Sequence, residues 1–89
     1  MVEPIIEYKL TEHGKQELQE RNIREEDVRQ VLWQPKQRKG VRAGRDVLQR
    51  RIKESGKEYL IRIFVDIDRN PAEVVTGYKT SKMGKYWEG

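Results

Sequence analysis

Residues 46–67 read DVLQRRIKESGKEYLIRIFVDI, and their alternation decides the fold. On either side of the turn formers Ser55 and Gly56, apolar and polar side chains follow one another with the two-residue period of a strand that buries one face. Pairing Glu54 with Lys57 across that turn places Leu48, Ile52, Ile61, Ile63 and Val65 on the core face. Gln49, Arg51, Arg62 and Phe64 fall on the opposite face. The strands are read as 46–53, 58–67 and 73–80, with a second hairpin-length connection over 68–72. If Ile67 pairs with Val74 across it, Lys79 joins Arg62 on the polar face.

Upstream of the strands the period changes to that of helices. Thr11 caps a helix over 12–21, in which Leu18 is the single aliphatic anchor and Gly14 costs roughly 1 kcal/mol of propensity. Asn22 followed by Glu25 reads as a capping box for a second helix, with Val28, Val31 and Leu32 as one stripe and Pro35 as its stop. Residues 34–44, with Gly40 and Gly44, read as a flexible basic loop. Residues 5–10 alternate weakly as a short first strand. Together these elements predict an α+β fold in which two N-terminal helices pack on a three- to four-stranded antiparallel sheet, forming a single domain over 1–89. Hydrophobic residues make up 35% of the chain, so the core is expected to be one thin layer and the other sheet face wet.

Charge and composition narrow the function classes. The formal net charge is +4, and Lys39, Arg42, Arg45, Arg50 and Arg51 stand against Asp46 alone over residues 39–51. Such clustering attracts polyanions, and nucleic acid first; the alternative is a solvated surface that keeps the protein soluble. With no cysteine and one histidine, thiol chemistry, disulfides and a transition-metal site lack donors, and no cofactor is expected. The phosphate-binding, dinucleotide and serine-hydrolase glycine motifs are all missing. The longest apolar run, residues 60–67, is interrupted by Arg62 and Asp66 and is far short of the ~20 residues of a membrane span. No signal peptide is read at the start, and a cytoplasmic protein is expected.

Two short helices at 11–33 suggest a helix-turn-helix, but Glu25, Glu26 and Asp27 open the second helix where phosphates would have to approach, so an αα-hairpin on the sheet is the better reading. On the polar face, Arg51, Arg62 and Lys79 offer charge to a phosphate backbone while Phe64 offers a stacking surface for bases. His13 has the imidazole of a general acid or base, or is a helix-surface residue. Residues 78–87 gather Lys79, Lys82 and Lys85 with Tyr78, Tyr86 and Trp87. They stand either as an RNA-contacting segment or as aromatics folded back over a sheet edge.

These residues also resemble a known pattern. His13, Arg21-Asn22-Ile23, Glu26-Asp27-Val28, Pro35, residues 74–82 and Lys85-Tyr86-Trp87 are similar to the uncharacterised family numbered 4258 among the domains of unknown function. That family looks like a relative of the RelE and BrnT ribonuclease toxins, whose fold sets two N-terminal helices against an antiparallel sheet. The resemblance implies metal-independent RNA cleavage by basic and aromatic residues of the sheet and C-terminal segment. It maps phosphate binding, proton transfer or base stacking onto Arg62, Lys79, Lys82 and Tyr86. Glu17 and Asn22 depart from the pattern, where family members often carry arginine and glycine, and this moves the expected site from the first helix to the sheet.

The expected function is therefore RNA binding or metal-independent endoribonuclease chemistry. The catalytic candidates are Arg62, Lys79, Lys82, Tyr86 and His13, and the RNA-binding candidates are Arg51, Phe64 and Lys85. The alternative is a non-catalytic module whose basic face binds an acidic antitoxin-like partner or a second copy of the chain, with the exposed edge strand and Tyr86 and Trp87 forming the interface.

Overall fold

A computed structural model describes residues 2–87. Its elements run β1 (Tyr8–Leu10), α1 (Glu12–Glu20), α2 (Glu25–Trp33), β2 (Gln37–Arg42), β3 (Arg45–Glu54), β4 (Lys57–Asp66), β5 (Ala72–Thr80) and the single-turn α3 (Met83–Tyr86). The fold is α+β, with a five-stranded sheet in the order β1-β5-β4-β3-β2.

Two departures from expectation change that sheet, one adding a strand and one its direction. The basic stretch read as a loop is β2, paired antiparallel with β3 from Gln37↔Gln49 to Arg42↔Arg45. Its side chains carry no apolar alternation because it is an edge strand, where charge is tolerated and guards against pairing with other molecules. At the opposite edge β1 runs parallel to β5, so the sheet is mixed rather than antiparallel. β1 has only three residues, since Thr11 turns the chain directly into α1.

Thr11 accepts a hydrogen bond from the Gly14 N–H at 2.9 Å, while its own N–H donates to the Val74 carbonyl at 3.1 Å. One residue thus caps α1 and joins it to β5. Asn22 does not cap α2. At φ 58° it closes α1: its N–H donates to Gln19 and that of Ile23 to Leu18, the paired bonds of a Schellman motif. Leu18 and Ile23 are both buried, supplying the apolar contact that accompanies this motif. The N-cap of α2 is Arg24, whose N–H donates to Asp27 at 3.0 Å.

The core lies between the helices and one sheet face. Leu18, Ile23, Val28, Val31 and Leu32 meet Leu48, Ile61, Ile63, Val65 and Val74, with Ile5 closing one side and Ile52 partly buried at the margin. Glu54 pairs with Lys57 as the alternation predicts, through Ser55 and Gly56 at φ 52° and 76°, the positive values of a two-residue hairpin turn.

The second sheet face is not uniformly wet. Val47, Gln49 and Leu60 are buried there, and Arg62, Phe64 and Tyr78 are half-buried. The C-terminal segment returns across this face rather than along an edge: the Tyr86 carbonyl accepts from Gln49 at 3.1 Å, and the Arg51 guanidinium lies 4.6 Å from the Trp87 ring centre. The flank of β5 is served by α1 instead, where Arg21 donates to the Gly77 carbonyl at 2.8 Å.

Candidate functional site

The covered face carries a row of polar side chains running straight across four strands. Gln37, Gln49, Arg62 and Tyr78 are successive register partners from β2 to β5. Their side chains are bonded in the same order. Gln49 Nε2 donates to Gln37 Oε1 at 2.6 Å; Arg62 Nε donates to Gln49 Oε1 at 2.8 Å; an Arg62 terminal nitrogen donates to the Tyr78 hydroxyl at 2.6 Å. Tyr78 meets the Tyr86 ring at its far end, so the row ends on α3.

Arg62 is the centre of the row. Its guanidinium carbon lies 4.5 Å from the Tyr86 ring centre and 5.6 Å from both Phe64 and Tyr78. Phe64 and Tyr78 stack at 5.9 Å, and Tyr86 meets Tyr78 edge-on at 5.8 Å. Three aromatic rings therefore surround one guanidinium, a favourable setting for a cation through their quadrupoles. A cleft of about 340 Å³ opens beside it over β2 and β3, lined in part by Lys36, Gln37, Val47 and Gln49.

What marks Arg62 is the nature of its partners. Arg38, Arg45, Arg50 and Arg62 are all half-buried. Arg38 holds Asp46 at 2.7 Å, Arg45 holds Asp66 at 2.6 Å, and Arg50 donates at 2.7 Å to the carbonyl of Gln34 at the negative end of α2. Arg62 is bound by an amide and a phenol. Both orient it and neither cancels its charge; among the described residues Arg50 is the other half-buried arginine without a carboxylate partner, and it lies on the helix face opposite Ile61, so Arg62 is the one on this face.

The tyrosines are pushed apart. The hydrogen bond from Tyr78, aided by neighbouring Lys85 and Arg62 and opposed by desolvation, holds the Tyr86 hydroxyl below the ordinary tyrosine value. Burial raises Tyr78 despite the hydrogen bond from Arg62. Tyr86 is thus the readier of the two to give up its proton.

The structure brings together Arg62, Tyr86, Phe64, Arg51 and Lys85, the last lying 5.4 Å from the Tyr86 ring centre. Lys82 is exposed at the N-cap of α3. Lys79 is elsewhere. Val65 pairs with Val74 but Phe64 pairs with Thr76, so Val75 is an extra residue on β5 and every side chain beyond it changes face. Lys79 therefore pairs opposite Ile61 on the helix face and binds Glu54 at 3.1 Å, while Tyr78 takes the place beside Arg62. His13 is also elsewhere: largely exposed on α1, it lies 3.1 Å from Glu17, which in turn accepts a hydrogen bond from Thr76. Tyr78, Gln49 and Gln37 escaped the sequence reading as site residues. The bulge hid the first, and the loop assignment hid the third. Among the described residues no group of three or more His, Cys, Asp or Glu could hold a metal ion, and no helix is long and apolar enough to cross a membrane.

The profile of the family described as Domain of unknown function (DUF4258) matches residues 10–85. The chain belongs to that family. The match takes in both main helices, β2 to β5 and most of α3, so Gln37, Gln49, Arg62 and Tyr78 lie within it and Tyr86 stands one residue beyond. No curated protein and no solved structure matches the chain.

Proposed function

We propose that this DUF4258 domain binds single-stranded RNA across the β2–β5 face and cleaves it without a metal ion, in the manner of RelE- or BrnT-like ribonuclease toxins. The observation that carries the reading is Arg62, a half-buried guanidinium oriented by neutral groups and ringed by Phe64, Tyr78 and Tyr86. A phosphate supplies the missing negative charge, and the rings give bases a stacking surface. Lys82 and Lys85 on α3 and Arg51 on β3 extend the positive track for flanking phosphates.

In the cleavage step the ribose 2′-oxygen attacks the adjacent phosphorus and the bond from phosphorus to the 5′-oxygen breaks. Tyr86, as phenolate, takes the 2′-hydroxyl proton, and Arg62 stabilises charge developing on the phosphoryl oxygens. The departing 5′-oxygen takes a proton from solvent or from Lys85. The products are a 2′,3′-cyclic phosphate and a 5′-hydroxyl.

Purified protein is incubated with mixed-sequence single-stranded RNA in excess chelator, and the new ends are analysed. Cyclic-phosphate ends made by the wild type and lost in Arg62→Ala are expected; intact RNA, or equal cleavage by both proteins, overturns the catalytic part of the reading.

A second reading, a module that binds an acidic protein or a second copy, draws on a different surface. Ile6 and Trp33 are exposed side by side, joined by the Trp33 indole N–H donating to the Ile6 carbonyl at 3.3 Å, with Arg29 over the Trp33 ring. Harmless overexpression with no RNA affinity favours it.

A further inference from the structure

Among the described residues Gln49 is the one polar side chain that is buried, at 4% exposure. A glutamine there would be costly if its amide were idle, because each unmet polar group forfeits its bonds to water. Here the amide is fully engaged with three elements at once. Its nitrogen uses both protons, on Gln37 Oε1 of β2 and on the Tyr86 carbonyl of α3, and its oxygen accepts from Arg62 of β4.

Only an amide performs this task. A carboxylate is acceptor-only: it would drop the bond to the Tyr86 carbonyl and keep Gln37 only by turning that amide over, while an aliphatic side chain would drop all three. A carboxylate would also form an ion pair with Arg62, as Asp46 and Asp66 do with Arg38 and Arg45. We infer that Gln49 is the positioning residue of the site: as a neutral anchor it fixes Arg62 and the α3 backbone in one geometry while leaving the guanidinium charge for an anionic ligand. The inference rests on the proposed phosphate-binding role of Arg62 and adds a residue that touches no ligand itself.

The test is Gln49→Glu, which keeps the side-chain size and an acceptor for Arg62. Affinity for a single-stranded RNA oligomer is expected to fall about tenfold, with the slope of log affinity against log salt smaller by about 0.7, the loss of one phosphate contact. Adding Arg62→Ala should then cost nothing more, since both changes remove the same charge. Wild-type affinity in Gln49→Glu, or losses that simply add, would overturn the inference. Should Gln49→Glu not fold, Gln49→Met serves instead: it leaves the charge but no anchor, so lower affinity at an unchanged salt slope is expected and wild-type affinity overturns the proposal. If the wild type and Arg62→Ala bind RNA equally, it is the phosphate reading that has failed. Gln49 is then judged by the alkaline titration of Tyr86, read as phenolate absorbance by difference from Tyr86→Phe. In Gln49→Met, which adds no charge, losing the anchor loosens α3 from Arg62, so the titration should move to higher pH; an unmoved titration overturns the positioning role.

Discussion

Arg62 and Arg45 stand on neighbouring strands, and their partners give them different work. Arg45 grips Asp66 through two bonds, at 2.6 and 3.2 Å, and each charge is spent on the other. The hydrogen bond from Arg45 holds the Asp66 carboxyl below the usual carboxylate range, against the opposing effect of burial. That stabilisation is fully present above the unfolded value of about 4 and is lost as pH falls through the lower folded value. Asp66→Asn should therefore destabilise the fold by about 1–2 kcal/mol at neutral pH and flatten this part of the acid-side loss, as read from denaturant midpoints across pH. Tyr86 makes the complementary prediction for activity. Its base form accumulates as pH rises toward a value held below the ordinary tyrosine pKa of about 10, so RNA cleavage should quicken with pH and level off before that point. Tyr86→Phe should abolish the rise; a profile unchanged in that variant removes Tyr86 from proton transfer. Arg62 and Tyr86 were legible in the sequence as basic and aromatic residues in a strand and a tail. Gln49 was legible only as a residue on the right face, because nothing in a polar letter announces burial.

At the scale of elements, close approach decides what composition leaves open. Gly14 looks like a weak point in α1, yet a Cβ there would stand 2.7 Å from the Val74 carbonyl oxygen and 2.9 Å from Thr11 Oγ1. The missing side chain lets α1 lie directly on β5. Gly14→Ala should thus destabilise the protein by about 1–3 kcal/mol of overpacking, outweighing a gain in helix propensity of roughly 1 kcal/mol; a higher denaturant midpoint would contradict this packing. The β3–β4 hairpin could be read to the residue because a two-residue turn fixes register and one face is apolar throughout. The β4–β5 hairpin could not, because a single extra residue, Val75, reverses the faces of Thr76 to Thr80 and no side chain signals it. The expected pairing of Ile67 with Val74 is also displaced, Val74 lying opposite Val65, and this shift together with the bulge puts Tyr78 rather than Lys79 opposite Arg62. β2 was illegible for another reason: an edge strand is held by the backbone bonds of β3 and leaves no periodic trace in its side chains.

Over the whole molecule, the two sheet faces divide the labour. One is sealed by α1 and α2 around an aliphatic core, which the alternation of residues 46–67 foretold. The other is crossed by a C-terminal strap, so that what composition suggested was a wet surface is partly covered and holds a buried glutamine, three rings and a guanidinium without a carboxylate partner among the described residues. The strap reaches this face because Tyr86 and Trp87 find Gln49, Arg62 and Arg51 there, long-range contacts to which the local sequence of α3 gives no clue. Whether the charge of Arg62 is available to a polyanion is tested most directly by the affinity of wild type and Arg62→Ala for a single-stranded RNA oligomer over a series of salt concentrations. Wild-type binding is expected to weaken with salt, and the variant to lose roughly tenfold or more in affinity with a salt slope smaller by about 0.7. Equal affinity and equal slope in the two proteins would contradict that availability.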